Sequence, residues 1–118
     1  MKTTFAMLLA LAVPAMAAAS EPVDAAQLAN AFFASKAAVA GAYEGKSIAI
    51  SGTVQKHDEN GNGEPLLLVG SDPTDTYVTL RFVKSDEAKA SALKVGAQIS
   101  VTCTGDFKAL PSGKDCHL

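Results

Sequence analysis

The amino-acid sequence predicts a small, mainly β domain: a partly open, five-stranded barrel with an N-terminal α-helix and a short helix between strands three and four. Three observations predict this fold class. An alanine-rich stretch with helical periodicity comes first, five segments with the composition of strands follow it, and the longest interval between two of these strands carries helix-capping signals. A chain of 118 residues is long enough for one such domain.

The chain begins with the features of a cleavable signal peptide. Lys2 supplies a positive start, Phe5 to Val13 form a short apolar core, and Pro14 ends it. Small residues favour cleavage after Ala17 or Ala19. The alternative, a membrane-spanning helix, needs about 20 apolar residues, and no cysteine near the cleavage point could carry a lipid. The sequence therefore predicts a periplasmic or secreted protein without a membrane anchor.

The predicted organisation has three parts. Residues 1–19 are the signal peptide, residues 20–45 are a linker and the N-terminal helix, and residues 46–118 are the barrel domain. Cleavage after Ala17 removes only Lys2 among the charged residues, which leaves 9 Lys and Arg against 12 Asp and Glu. This acidic balance argues against nucleic acid as a partner, because nucleic-acid binding calls for a basic surface. We expect a monomer.

The alanine-rich stretch is predicted to be a core-packed helix. Asp24 occupies an N-cap position with Gln27 three residues later, as in a capping box, and Ser35 or Gly41 is expected to interrupt the helix. A cofactor-binding stripe and an amphipathic membrane helix are the alternatives, but membrane-surface helices carry lysines on their polar face. Core packing is favoured by an apolar stripe at helical spacing, formed by Leu28, Phe32, Val39 and Tyr43.

The rest of the chain is predicted to form strands and turns. Gly52 within the first strand indicates a bulge or sharp bend, and two Asn-Gly pairs in the polar segment 57–64 indicate a hairpin. A second loop is expected at 105–113, where Pro111 lies. The predicted strands cover residues 47–54, 66–69, 77–82, 99–103 and 114–118.

A short helix is predicted between the third and fourth strands. Ser85 is positioned to cap it, and Gly96 is positioned to terminate it. This order of elements is that of the oligonucleotide/oligosaccharide-binding (OB) fold, a five-stranded, partly open barrel.

The two cysteines, Cys103 and Cys116, are predicted to form a disulfide. An even cysteine count in an exported chain favours pairing. The last two strands, paired as an antiparallel hairpin centred on residues 109–110, would place the two side by side, within the reach of a disulfide. Free buried thiols are the alternative, while a structural zinc site would require a different ligand spacing.

Several short motifs resemble one bacterial family of exported OB-fold proteins, described as tRNA-anticodon-binding-like. The resemblance implies the barrel, the preceding helix and the paired cysteines, but no chemistry, since members of the family are largely without assigned function. The anticodon-binding label refers to similarity of fold. A second, weaker resemblance is to the exported OB-fold family of stress and tolerance proteins. The motifs are Tyr43–Lys46, Ile48–Val54, Leu93–Gly96, Val101–Gly105 and Lys114–Cys116.

The first hairpin loop contains the opening of a calcium-binding loop. Asp58, Asn60 and Asn62 alternate as oxygen ligands do in such loops, and Gly63 follows them. The twelfth position, which a bidentate glutamate would occupy, is Val69. The sequence therefore favours a solvated turn over a weak calcium site, and no other cofactor is predicted.

The candidate ligand face comes from the fold class. OB folds bind ligands through the second and third strands and the flanking loops, which selects Tyr77 and Arg81, with Phe107 in the last loop. Loops 57–64 and 105–113 are the expected contact surfaces. One aromatic and one arginine are few for single-stranded nucleic acid, so a protein or a glycan of the cell envelope is the expected partner.

No catalytic residues are predicted. The sequence contains no nucleophile elbow, no H-E-x-x-H, no P-loop and no C-x-x-C. His57 borders a loop and His117 is the penultimate residue, and nothing in the sequence places either beside a nucleophile. We therefore predict a non-enzymatic binding or interaction module, with a glycan-binding or cell-wall-binding domain or a weak calcium-binding protein as alternatives, and a small hydrolase as the least favoured.

Overall fold

A computed structural model describes residues 21–71 and 76–118. The predicted signal peptide, residues 1–19, lies outside the described residues, as does part of the turn between the second and third barrel strands. Within the two described ranges, no helix is long and apolar enough to cross a membrane.

The predicted fold class is confirmed: the chain is mainly β, with an OB-type barrel. Five strands, β2 to β6, form a closed ring in the order β2-β3-β4-β6-β5, and β2 returns to pair with β5. All neighbours are antiparallel except β4 and β6, and a short strand, β1, lies parallel to β2. The elements are β1 (Val23–Asp24), α1 (Ala25–Ala34), α2 (Lys36–Tyr43), β2 (Ser47–Glu59), β3 (Pro65–Gly70), β4 (Tyr77–Phe82), α3 (Glu87–Ala92), β5 (Gln98–Asp106) and β6 (Ser112–His117).

The alanine-rich segment forms two helices, and Ser35 separates them. Asp24 caps α1 as predicted, because its carboxylate accepts a hydrogen bond of 3.0 Å from the Gln27 N–H. Ser35 has extended backbone angles, and its hydroxyl accepts from the Ala38 N–H at the start of α2. A single serine therefore ends one helix and caps the next, which explains the break.

The core lies between the inner surface of the barrel and the buried face of α1 and α2. In β2 the buried positions alternate as the sequence predicts, and Leu28 and Phe32 of α1 pack over the barrel. The helical stripe is thus part of the core. Strand residues in this cluster include Ile48, Ile50, Val54, Leu67, Val69, Val78, Leu80, Phe82 and Val101.

The bulge in β2 lies at Gln55 instead of Gly52. Val54 pairs with Val69 while Lys56 pairs with Leu68, so one residue is extra on β2. Glycine is required at position 52 for a steric reason, because a Cβ at this position would lie 2.8 Å from the Cγ1 of Val69. Gly52 therefore allows α1 and β3 to approach β2 closely.

The short helix does not begin as predicted. A 3₁₀ turn at Lys84–Asp86 precedes α3. Ser85 lies within that turn and therefore does not cap α3. The carboxylate of Asp86 accepts a hydrogen bond of 3.0 Å from the Leu118 N–H. This hydrogen bond holds Leu118 beside the start of α3.

Both predicted loops are shorter than expected, because their strands extend further. β2 continues to Glu59, and the strand pairs of the last hairpin reach Asp106 and Ser112. The added residues are polar or glycine, so they lack the apolar alternation from which strands are predicted.

The predicted disulfide is present between Cys103 and Cys116, whose Cα atoms are 4.1 Å apart. Both side chains are buried in the core. Close to the disulfide, β6 has one extra residue relative to β5, and Asp115 takes a positive φ of 51° there. The cross-link therefore joins the strand that closes the barrel to its neighbour.

Candidate ligand groove

The bulge at Gln55 determines which β2 side chains reach the candidate ligand face. Beyond it, Lys56 lies opposite Leu68 and Asp58 lies opposite Leu66. These two leucines pair in turn with Thr79 and Arg81 of β4. Opposite residues in a sheet point to the same side. One outer surface therefore carries the leucines of β3 between the charged residues of β2 and the polar residues of β4. The members of this surface are Lys56, Asp58, Leu66, Leu68, Tyr77, Thr79 and Arg81.

An apolar groove of about 390 Å³ lies on this outer surface. We call it the β3–β4 groove. Its walls include Phe33 of α1, which is 67% exposed, and Leu110 of the last loop, which is 61% exposed. In the described part of the chain, five large apolar side chains are exposed, and three of them line this groove. The groove is lined by Phe33, Asp58, Leu66, Leu68, Tyr77, Thr79, Leu110 and Pro111.

Positive side chains lie around the apolar groove. Arg81 and Lys114 line a hollow of about 160 Å³ that continues from it and shares Leu66 and Thr79 with it. Lys56 lies at the other side, in a shallow depression shared with Tyr77. The chain as a whole is acidic, whereas this face carries these three cations against the carboxylates of Asp58 and Asp106, a local balance that net charge does not reveal.

The prediction that Phe107 lies on the ligand face is wrong. Its side chain is fully buried, with ring centroids 6.1 Å from Phe32 and 6.2 Å from Tyr43. Its N–H donates a hydrogen bond of 2.6 Å to the carboxylate of Glu44. Both helices therefore hold Phe107 in the core, and Leu110 presents the exposed apolar side chain of that loop instead.

The side chains of the proposed calcium motif make local hydrogen bonds. The Oδ1 of Asn60 accepts from the N–H groups of Asn62 and Glu64, and its Nδ2 donates to the Glu64 carboxylate. The Oδ1 of Asp58 accepts from the Glu59 N–H. In the ranges that the structure describes, no group of three or more His, Cys, Asp or Glu side chains could hold a metal ion. The asparagine oxygen acts as the centre of an Asx-type turn.

Calcium is expected to leave the thermal stability of the protein unchanged. Binding to the folded state alone would raise the melting temperature by an amount that grows with the calcium concentration relative to the dissociation constant. The Oδ1 of Asn60, however, already accepts two backbone hydrogen bonds. Melting curves in millimolar calcium and in chelator provide the measurement. A reproducible rise in calcium that Asp58→Ala abolishes would establish the weak calcium site instead.

The two histidines lie apart from the groove. The Nε2–H of His57 donates a hydrogen bond of 2.6 Å to the Leu93 carbonyl, at the end of α3. His117 is exposed near the end of β6. His57 thus contributes to the contact between α3 and the barrel.

Sequence reasoning found Tyr77 and Arg81 on this face but missed most of the residues that accompany them. Phe33 is on a different element from its groove neighbours, and Lys114 reaches the face only because β6 runs parallel to β4. Alternation in β3 was the available signal for Leu66 and Leu68, but the run of apolar residues there hides it.

Comparison with known proteins agrees with the fold. No curated protein matches the sequence. A crystal structure from Klebsiella pneumoniae subsp. pneumoniae, described as a "putative nucleic acid-binding lipoprotein", matches with a TM-score of 0.66 and 18% identity over 89% of this chain and 98% of that one. At this identity the likeness shows the fold alone. The sequence model of the tRNA_anti-like family matches residues 9–114, and the chain therefore belongs to that family.

Proposed function

We propose that this protein is a non-enzymatic binding module of the periplasm or the secreted fraction, and that its partner contacts the β3–β4 groove. One observation carries the proposal. Phe33, Tyr77 and Leu110 come from three separate elements and expose their apolar side chains around one groove. Exposed apolar side chains that converge in this way are typical of interaction sites.

The chemistry around the groove favours binding over catalysis. Its lining contains one carboxylate, that of Asp58, and two hydroxyl groups, those of Tyr77 and Thr79, and otherwise apolar side chains. A reaction needs a nucleophile or a pair of acid and base groups within hydrogen-bond reach of each other. A protein or a glycan of the cell envelope is the partner class that we propose.

Nucleic acid is the alternative partner class, because the structural neighbour is described as a "putative nucleic acid-binding lipoprotein". The three cations around the groove favour it, but Asp58 and Asp106 lie on the same face and oppose a phosphate backbone. Phe33 and Tyr77 offer two aromatic rings for stacking, but the surface between the cations is aliphatic, formed by Leu66 and Leu68. The balance on this face therefore favours a protein or glycan partner.

Site-specific photocrosslinking in living cells tests the proposal. A photoreactive amino acid replaces Phe33, Leu110 or Val95 in the exported chain, and adducts are analysed after irradiation. Val95 is the matched control, since it is 64% exposed and lies outside the groove lining. We expect discrete adducts at Phe33 and Leu110 that are absent at Val95. Equal labelling at all three positions, or none at any, would refute the groove as the contact surface.

A further inference from the structure

We infer that the β3–β4 groove binds an extended protein segment that inserts one large apolar side chain beside Tyr77 and places a single carboxylate near Arg81. This inference rests on the proposed function and specifies its partner. Two features of the groove carry it: an apolar anchor site and a cationic end.

The apolar part of the groove has the size and lining of an anchor site. Its volume of about 390 Å³ is at the lower end of the range for ligand clefts, roughly 300–1,000 Å³, which suits one or two side chains. Leu66 and Leu68 form its floor, and Pro111 adds a rigid edge. Buried apolar anchors in such pockets supply most of the affinity in protein interfaces.

The cationic part determines the chemistry that flanks the anchor. Arg81 presents a guanidinium group on an exposed position of β4, and guanidinium groups bind carboxylates through paired hydrogen bonds. Lys114 and Asp106 line the same hollow, so its two cations and one carboxylate leave one net positive charge. A segment with one acidic residue at this end complements that charge, whereas a run of phosphates would meet the carboxylates of Asp58 and Asp106.

The distance along β4 between Tyr77 and Arg81 determines how many residues of the partner separate its apolar side chain from its carboxylate. Tyr77 and Arg81 are four residues apart on one strand, which corresponds to about 13 Å at the rise of a β-strand. An extended partner segment would cover this distance in three to five residues. The inferred motif is therefore one large apolar residue with an Asp or Glu three to five positions away.

A second copy of this chain is the other occupant that the test must distinguish. A two-fold symmetric contact brings the same surface together from both partners, and the carboxylates of Asp58 and Asp106 in one copy would then lie near the cations of the other.

Selection from a phage library of random linear dodecapeptides on the processed protein tests the inference. We expect the enriched peptides to carry the apolar-acid spacing, and their affinity to fall at least tenfold for Arg81→Glu and for Leu110→Asp. Val95→Asp is the matched control, because it adds the same charge at an equally exposed site outside the groove, and it should bind as the parent does.

Other outcomes would overturn the inference. These are no enrichment over background, enriched peptides without acidic residues, or equal binding to Arg81→Glu. Concentration-dependent dimerisation that Leu110→Asp abolishes would assign the groove to a second copy. Photocrosslinks from Phe33 to a glycan or nucleic acid would refute the inferred protein segment while leaving the binding module supported, whereas an absence of any groove crosslink would refute both.

Discussion

Phe107→Ala is expected to lower the free energy of unfolding by about 3–5 kcal/mol, the range for truncating a buried phenylalanine. The ring is fully buried and lies about equally far from Phe32 of α1 and Tyr43 of α2. Its removal leaves a cavity where both helices meet the barrel. Because a domain of this size has roughly 5–15 kcal/mol of stability, the variant should melt far below the parent. Thermal and denaturant unfolding followed by circular dichroism provide the measurement.

Two further variants make the Phe107 result interpretable. Phe107→Leu should cost less than about 1.5 kcal/mol, because it keeps an apolar side chain in the site, and it can be measured if the alanine variant does not fold. Phe33→Ala is the matched control: its ring is 67% exposed, so its melting temperature should stay close to that of the parent while groove binding weakens. Equal stability of the Phe107 and Phe33 variants would contradict the buried position of Phe107.

The contrast between these two phenylalanines shows where the sequence is informative. The barrel strands were predictable because their buried side alternates locally, as in Ile48, Ile50 and Val54. Phe107 lies just past β5 and keeps the phase of that strand's buried positions, Val101, Cys103 and Gly105. The prediction of a loop at 105–113 ended the alternation before it reached Phe107, and this signal was therefore missed. Its burial depends on α1 and α2, which are more than sixty residues away in the chain.

The groove was only partly predictable for a related reason. The positions of Tyr77 and Arg81 on the groove face were predictable from the alternation of β4 and from the usual ligand-binding face of OB folds. Lys56 reaches the same face only because the bulge at Gln55 reverses the alternation of β2 beyond it. Without that bulge, Lys56 would point inward and the face would lose one of its cations. A single inserted residue in a strand thus changes the surface chemistry, and polar sequences do not reveal where it lies.

Removing the disulfide is expected to lower the melting temperature by roughly 10–25 °C. Cys103 and Cys116 are 13 residues apart in sequence, and a closed loop of this length contributes about 3 kcal/mol in the chain-entropy model. The position increases the effect, because β6 completes the closed ring between β4 and β5. Thermal unfolding of the Cys103→Ala, Cys116→Ala double variant measures it without leaving a single free thiol.

Reduction of the parent protein separates the cross-link from the packing of the two side chains. Both cysteines are buried, so the double variant loses some apolar contact as well as the cross-link, and reductant acts on the cross-link alone. We expect reductant to lower the melting temperature of the parent by most of the difference between parent and double variant, and to leave the double variant unchanged. If the double variant melts within a degree or two of the parent, the cross-link does not stabilise the barrel. In that case the pairing of β6 with β4 and β5 is sufficient to keep the ring closed.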